Sequence, residues 1–393
     1  MTAYYRPTRV EVSLDALRSN IEAFRSALPA EVQLMATVKA DAYGHGAVAV
    51  AREAERCGVD YMGVAFLDEA IQLRRAGIVT PILVLGYVPP EGLSIARELD
   101  ITIALFREDI IEAAAALPPL DGRRLRVHVK IDSGMGRLGL MPGHEAASFV
   151  AKAHDTANLH VEGIFTHYAK ADEADKQYTS EQYKRFAAFV DELRQLGYPV
   201  PLAHAGNSAA GIDTPEWAGG MVRLGISMYG LYPSTEVNRE RISLKPVLSL
   251  KTEVVMVKQA PPDWGVSYGT KYVTTSQEWI GTLPIGYADG YSRMLSGKVE
   301  ALIRGRRVPV LGTICMDQCM IALDHVAEQG GDPVTAGEEV VLIGAQEGAV
   351  ISADELATKL GTINYEITCM MGARMPRIYI KDGAVAGIMN TLL

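Results

Sequence analysis

The stretch LMATVKADAYGHGA begins at Leu34 and carries the chain from apolar and small residues into Lys39, Asp41, Tyr43 and His45. A lysine at the end of an apolar strand loses hydration, which disfavours its charged form. Such a lysine either snorkels to water along its stem or is held as a nucleophilic amine able to form a Schiff base with a carbonyl. Other reactive side chains recur at comparable places: Lys130 and Arg137 in VKIDSGMGR, His167 after HVEGIFT, Asn207 and Ser208 after LAHAG, and Arg223 and Gly225 in VRLG. Glycine at 225 lets backbone amides approach a phosphate, and the Ser208 hydroxyl adds a donor. A reactive lysine, a phosphate cradle and an aromatic or imidazole surface together suggest pyridoxal 5′-phosphate.

One motif points elsewhere. GMGRLG, Gly134 to Gly139, fits the G-x-G-x-x-G pattern of dinucleotide sites. Its context is wrong for that role, because LMPG delays the next helix and no helix N-terminus starts at the glycines to meet a pyrophosphate. The glycines are expected instead to let the backbone approach a neighbour while aiming Arg137 inward.

The elements that must position these residues follow from apolar runs. QLMATVKA, YMGVAF, PILVLG, ITIAL, RVHVKID, HVEGIFTH, LAHAGN and VRLGISMYG read as strands, separated by stretches such as AVAVAREAERCG and LDEAIQLRRAG with helical spacing. The alternation predicts an α/β fold, a parallel (β/α)8 TIM-type barrel over residues 10–240, with an open doubly wound sheet as the runner-up. In a barrel, the reactive residues above gather at the C-terminal ends of the strands. From LSLKTEVVMVKQA onward short strands are broken by Gly, Pro and Asp, with one helical stretch near SADELATKL. A mostly β domain is therefore expected over 241–393, to which residues 1–9 and the segment TRVEVSLD add a strand.

The net charge of −9, from 38 basic and 47 acidic residues, argues against nucleic acid or an anionic membrane as the main partner. The start MTAYYRPTRVEVSL has no apolar core of signal-peptide length. The 4 cysteines are scattered and are followed by no zinc-site pair, so buried reduced thiols, no metal and a cytoplasmic location are expected.

VKADAYGHG, KIDSGMGRLG, GIFTHYAKAD, HAGNSAA, MVRLGISMYG, LKPVLSLKT, VSYG, PIGYADGY, GTICMDQ and INYEI, in this order along nearly the whole chain, closely resemble the motifs of alanine racemase, a pyridoxal-phosphate enzyme of fold type III. The resemblance makes Lys39 the Schiff-base lysine and one catalytic base. It makes Tyr268 the second base, contributed by the β domain of a partner subunit, with His167 supporting that tyrosine beside the cofactor. Tyr43, Ser208, Gly225, Ile226 and Tyr365 match phosphate-binding positions, and Asn207 joins the cofactor set. Arg223 matches the residue facing the pyridine nitrogen. Arg137 and the Met316 amide match groups that take the substrate carboxylate, and Tyr287 lines the substrate pocket. Lys130 matches a lysine often carbamylated to hold Arg137, and Asp317 orients a neighbour or caps a turn.

The physical reading agrees with that assignment. Racemisation requires a proton to leave one face of a carbon and another to arrive on the opposite face, which two opposed bases achieve. A permanent cation at Arg223 disfavours protonation of the pyridine nitrogen and so limits side reactions. Taken singly, Arg223 is a salt-bridged strand-end arginine, Tyr43, Tyr287 and Tyr365 are half-buried tyrosines, and His167 and His45 are structural histidines. The sequence departs from the resemblance at Gly206, where alanine is frequent, at Ser133, where threonine is frequent, and in the bulky APPDWGVSYG before Tyr268. The resemblance implies a homodimer with shared active sites that interconverts L- and D-alanine and supplies D-alanine for peptidoglycan. A racemase of serine or another small amino acid shares the same catalysis. A fold type III decarboxylase would want an acidic group where Arg223 stands, and a non-catalytic cofactor-binding protein would lack Tyr268 and the β domain.

Overall fold

The computed structural model of the chain describes residues 4–327 and 332–393. They divide into two compact units. One comprises Ala16–Ala42 and Ala47–Lys245, the other the residues up to Asp15, Tyr43–Gly46 and Pro246–Leu393. Against the change of pattern expected near residue 240, the division falls between Lys245 and Pro246.

β1 (Arg9–Ser13) belongs to the second unit. The first unit is built on β2 (Gln33–Thr37), β3 (Tyr61–Val64), β4 (Ile82–Val84), β5 (Ile101–Leu105), β6 (Leu125–Lys130), β7 (Leu159–Phe165), β8 (Leu202–His204) and β9 (Met221–Leu224). These form an 8-stranded sheet in which β2 to β8 pair in sequence order and β9 pairs β2, every ladder being parallel. An Asn207–Arg223 bridge and the bond from the Arg223 amide to the Gly206 carbonyl (3.0 Å) join the remaining edges, completing a near-barrel. Both faces of such a sheet are covered, and β3, β4 and β5 are accordingly buried at every position.

The intervening helices earn their place by spacing. Ala47–Arg56 buries Ala47, Val50, Ala51 and Ala54, one face at three-to-four intervals, and the chain leaves it at Gly58 with φ +71°. Burying a side chain such as Val50 stabilises by roughly 1.5–3 kcal/mol. Strand assignments from the sequence are slightly long: Gly225, expected in the eighth barrel strand, lies just past the end of β9.

The second unit holds an 11-stranded sheet. β1 pairs antiparallel with Leu248–Glu253 and parallel with Arg377–Lys381. Its buried positions alternate, as do those of Leu248–Glu253, because one face of each strand meets the core. Leu14 and Asp15, expected to extend the first strand, instead open the helix Leu14–Ala27. The expected helical stretch is Ala353–Leu360, capped by Ser352 Oγ accepting from the Glu355 amide at 3.0 Å and ended by Gly361 at φ +77°. It is not alone, since Asn364–Cys369 and Asp324–Ala327 are also helical.

The expectation of buried thiols holds only for Cys319: Cys57 and Cys315 are half-buried and Cys369 is exposed. Among the described residues no helix is long and apolar enough to cross a membrane, and no group of His, Cys, Asp or Glu could hold a metal ion.

Candidate active site

In the first unit, Lys39 follows β2 directly and is half-buried. The chain then turns with the wrong hand: Ala40, Asp41, Ala42 and Tyr43 all have φ between +52° and +54°. For L-residues this conformation costs roughly 1–2 kcal/mol each. It is held by side chains and backbone together. The Ala40 amide donates to Glu69 Oε1 at 2.7 Å, the Ala42 amide to the Val38 carbonyl at 2.9 Å, and Asp41 Oδ1 accepts from the Ala47 amide at 2.8 Å. Glu69 Oε2 also receives the Ala65 and Phe66 amides, tying the ends of β2 and β3 to one carboxylate.

Lys130 ends β6 and is only 6% exposed. Its ammonium lies 4.2 Å from the centre of the Phe165 ring. Burial, reinforced by the nearby Arg223 and Arg137 cations, lowers its pKa well below that of an ordinary lysine. The backbone amides of the glycine motif beyond it turn to a carboxylate of their own loop. Asp132 Oδ1 accepts from the amides of Gly134, Met135 and Gly136 at 2.8–3.1 Å, and Oδ2 accepts from Arg137. The neighbour these glycines approach is thus the carboxylate of their own loop, and Arg137 at its end is exposed. Burial opposes the Asp132 charge, but the four amides outweigh it and lower the pKa. Ser133, the frequent threonine's replacement, keeps its hydroxyl 2.8 Å from Thr166 Oγ1.

Arg223, in β9, is the hub of the mouth. Its Nη1 donates to His204 Nδ1 at 2.9 Å, and its Nη2 donates to the carbonyls of Thr166 (2.8 Å) and Ala205 (2.9 Å) and to His167 Nδ1 (3.2 Å). Burial brings its pKa down to about 10, so it stays charged at neutral pH. A guanidinium has no acceptor, so His167 Nδ1 must carry the lone pair and its proton resides on Nε2. Burial first, then the cations of Arg223, Lys130, Arg137 and Lys39, lower the His167 pKa well below the usual imidazole value.

Ser208 Oγ accepts from the Gly225 amide at 2.9 Å, and Ile226 starts the turn Ile226–Tyr229. Asn207 caps the helix Ser208–Asp213, its Oδ1 accepting from the Ala210 amide at 2.9 Å. The departure at Gly206 has a local cause, because a Cβ there would come within 2.8 Å of Ala218 Cβ.

The second unit holds the remaining candidates in separate groups. The rings of Tyr43 and Tyr365 have centroids 6.2 Å apart. Tyr287 and Met316 share a junction in which the Tyr287 amide donates to the Cys315 carbonyl (3.0 Å) and the Ala288 amide to the Met316 carbonyl (3.1 Å). No side chain fits at Gly286 beneath them, since its Cβ would meet the Cys315 oxygen at 2.2 Å. Tyr268 starts the turn Tyr268–Thr270, its carbonyl accepting from Thr313 Oγ1 at 2.9 Å. Tyr268 is 68% exposed and Met316 52%, with Trp264 also exposed. Asp317 accepts from Arg374 Nη2 at 2.6 Å, and Arg374 Nε also reaches the fully buried Asp289, which Arg6 meets from another side. Asp317 is thus paired with Arg374.

Sequence reasoning passed over Glu69, Asp132, Phe165 and His204. Asp132 and Glu69 had no legible signal, since each bonds backbone amides. His204 had one: it stands in the strand LAHAGN beside the motif residues, as Phe165 stands two residues before His167.

The mouth of the first unit fits an anionic group. Lys39, Lys130, Arg137 and Arg223 act together on His167, while Asp132 spends its charge on its own loop. A phosphate ester and a carboxylate, together with a ring nitrogen that needs a donor, match what Arg223, Arg137, Ser208 and Lys39 offer.

Comparison with known proteins gives a consistent result. The family model described as "Alanine racemase, N-terminal domain" matches residues 12–233, and "Alanine racemase, C-terminal domain" matches residues 247–379. The alanine racemase of Desulfovibrio desulfuricans is 45% identical over 381 residues, spanning 97% of this chain and 100% of its own. That of Halalkalibacterium halodurans is 46% identical over 400 residues, covering 100% of both. Among solved structures, alanine racemase from Bacillus anthracis with bound L-Ala-P superposes with a TM-score of 0.93 at 41% identity, over 100% of this chain and 99% of that one. The Clostridium difficile 630 alanine racemase gives 0.92 at 40% identity, over 99% and 100%.

Proposed function

The chain belongs to the alanine racemase family, and from that premise we propose that it interconverts L- and D-alanine with pyridoxal 5′-phosphate as cofactor. The observation that carries this reading at the level of residues is the seating of Arg223: a buried, permanent donor held by four acceptors at the barrel mouth beside Lys39 and His167.

When bound, pyridoxal phosphate would supply the electron withdrawal that acidifies the Cα–H of an amino acid. Lys39 would hold the cofactor between turnovers and Arg223 would face its ring nitrogen. Because Arg223 does not release its proton near neutrality, it would donate to that nitrogen without protonating it, which would keep the electron withdrawal moderate. The phosphate falls to Ser208, the Gly225 and Ile226 backbone, Tyr43 and Tyr365, with Asn207 fixing the helix that carries Ser208. Arg137 and the Met316 amide take the substrate carboxylate, and Tyr287 limits the pocket to a small side chain.

Proton transfer then needs two groups. Lys39 Nζ serves one face of Cα and Tyr268 Oη the other, so each takes the proton in one direction and delivers it in the reverse. His167, its Nδ1 occupied by Arg223, would support Tyr268 Oη by donating from Nε2. The exposure of Tyr268 and Met316 suits residues lent to the barrel of a second subunit, and we infer a homodimer with shared sites. Lys130, whose pKa burial and the nearby cations lower, would the more readily give up its ammonium proton and add to carbon dioxide, losing a second proton to leave a carbamate that would pair with Arg137. The proposed setting is cytoplasmic, with D-alanine passing to peptidoglycan.

The test is incubation with L-alanine in D2O, following α-proton loss by NMR and optical rotation by polarimetry. Loss of both signals is expected. Exchange confined to L-serine, or no exchange with cofactor bound, would overturn the alanine assignment.

A further inference from the structure

Beneath Arg223 the barrel interior holds a row of polar groups that the chemistry above does not use. Arg223 can only donate, so His204 Nδ1, 2.9 Å from its Nη1, must accept. The neutral His204 therefore carries its proton on Nε2, which lies 2.9 Å from His128 Nδ1. That nitrogen must accept in turn, so His128 carries its proton on Nε2, which lies 3.4 Å from Glu162 Oε2, within ion-pair distance but short of hydrogen-bond alignment. Both imidazoles are completely buried, and burial favours their neutral forms. The row runs from a cation that only donates to a carboxylate that only accepts, and its direction is fixed by its two ends.

The strands are shaped around this row. Along β6 and β7 Val127 faces Val161 but His128 faces Gly163, so Glu162 is the extra residue of a bulge, the device that re-aims a side chain. A Cβ at Gly163 would lie 2.6 Å from His128 Nδ1 and Cε1, so glycine makes room for the ring. Glu162 is approached by further donors, Thr102 Oγ1 at 3.4 Å and Arg126 Nη1 at 4.0 Å. The Phe165 ring stacks on His204, centroids 5.0 Å apart and planes 3° from parallel, which fixes the imidazole plane.

We propose that Glu162 is a positioning residue: as the acceptor at the lower end of the row it holds His128 and His204 in the tautomers that Arg223 requires, and through them steadies the orientation of Arg223 at the cofactor nitrogen. The inference rests on the racemase reading for its consequence but not for its readout. Gln at 162 offers His128 either an oxygen or an N–H, so the lower end of the row would no longer select a direction.

The test is 15N NMR of histidine-labelled protein, with and without added pyridoxal 5′-phosphate, for the natural chain and Glu162→Gln. In the natural chain His128 and His204 are expected as single neutral tautomers protonated on Nε2. In Glu162→Gln the His128 resonances should move toward the tautomer-averaged position, and kcat should fall roughly tenfold with KM nearly unchanged. A proton on Nδ1, or a charged ring, in the natural chain overturns the proposal without any variant. Identical shifts in both proteins, or an unchanged kcat, overturn it as well. Absence of racemisation in the natural chain would sink the racemase reading instead, while the tautomer measurement would still stand.

Discussion

The guanidinium of Arg223 and the imidazole of His204 meet at 2.9 Å inside the barrel, both shielded from solvent, and the arginine makes each of its other contacts to acceptors as well. A planar fork that fans into four acceptors cannot be copied by a point charge on a flexible stem. Arg223→Lys is therefore expected to lower kcat by about 100-fold, and Arg223→Leu to destabilise the chain by roughly 2–4 kcal/mol through the acceptors left unpaired. Urea unfolding of the cofactor-free proteins separates the two effects. Wild-type kinetics in the lysine variant would show that the fan has no catalytic consequence.

Tyr268→Phe removes one of the two proposed proton carriers and leaves Lys39. Racemisation should fall by about 10²–10⁴-fold. Exchange of the α-proton in D2O should persist for the enantiomer whose proton faces Lys39, with its configuration retained. Equal loss of exchange for both enantiomers would show that the two residues do not act on opposite faces.

Acid should weaken the fold before the carboxylates titrate. His128, His167 and His204 have pKa values lowered by burial; nearby cations add to the effect at His167 and His204, while Glu162 opposes it at His128. The unfolded chain takes up protons near pH 6.5 that the folded chain refuses, so stability is full above that pH and falls below it. Each such histidine contributes a slope of about 1.4 kcal/mol per pH unit until its lowered folded value is reached. Urea midpoints at about pH 7.5 and about pH 5.5 should differ accordingly. A flat profile would mean that these rings accept protons while folded.

Gly163→Ala puts a methyl group into the His128 ring. Overpacking of this kind should cost about 1–3 kcal/mol, read as a lower urea midpoint. A neutral result would show that the ring has room to move.

The barrel was legible in the sequence because parallel strands covered on both faces are continuous apolar runs, and ITIAL could hardly be read otherwise. Arg223 and His167 could be placed at strand ends by counting. Their mutual bond could not, because it depends on how β7 and β9 are set around the barrel. The bulge at Glu162 was hidden in VEGIF, where nothing in the residue types distinguishes one extra position from a regular strand. The helix after the glycine motif starts only at His144, as LMPG implied, yet the carboxylate that its amides meet, Asp132, was missed because a carboxylate that gathers amides locally leaves no spacing signature. The helix Asn364–Cys369, which carries Tyr365, is too short for its periodicity to show.

The turn after Lys39 has a consequence in terms of handedness. Ala40 and Ala42 adopt angles that mirror those of an ordinary helix, and a side chain of L configuration is crowded by them. For a D-residue the same angles are the comfortable ones. The L-alanines at 40 and 42 thus occupy backbone that suits D-alanine better, and a semisynthetic chain carrying D-alanine at position 42 would keep this turn while relieving its strain. Beside the lysine proposed to erase the distinction between the two enantiomers, the polypeptide itself is bent against its own chirality.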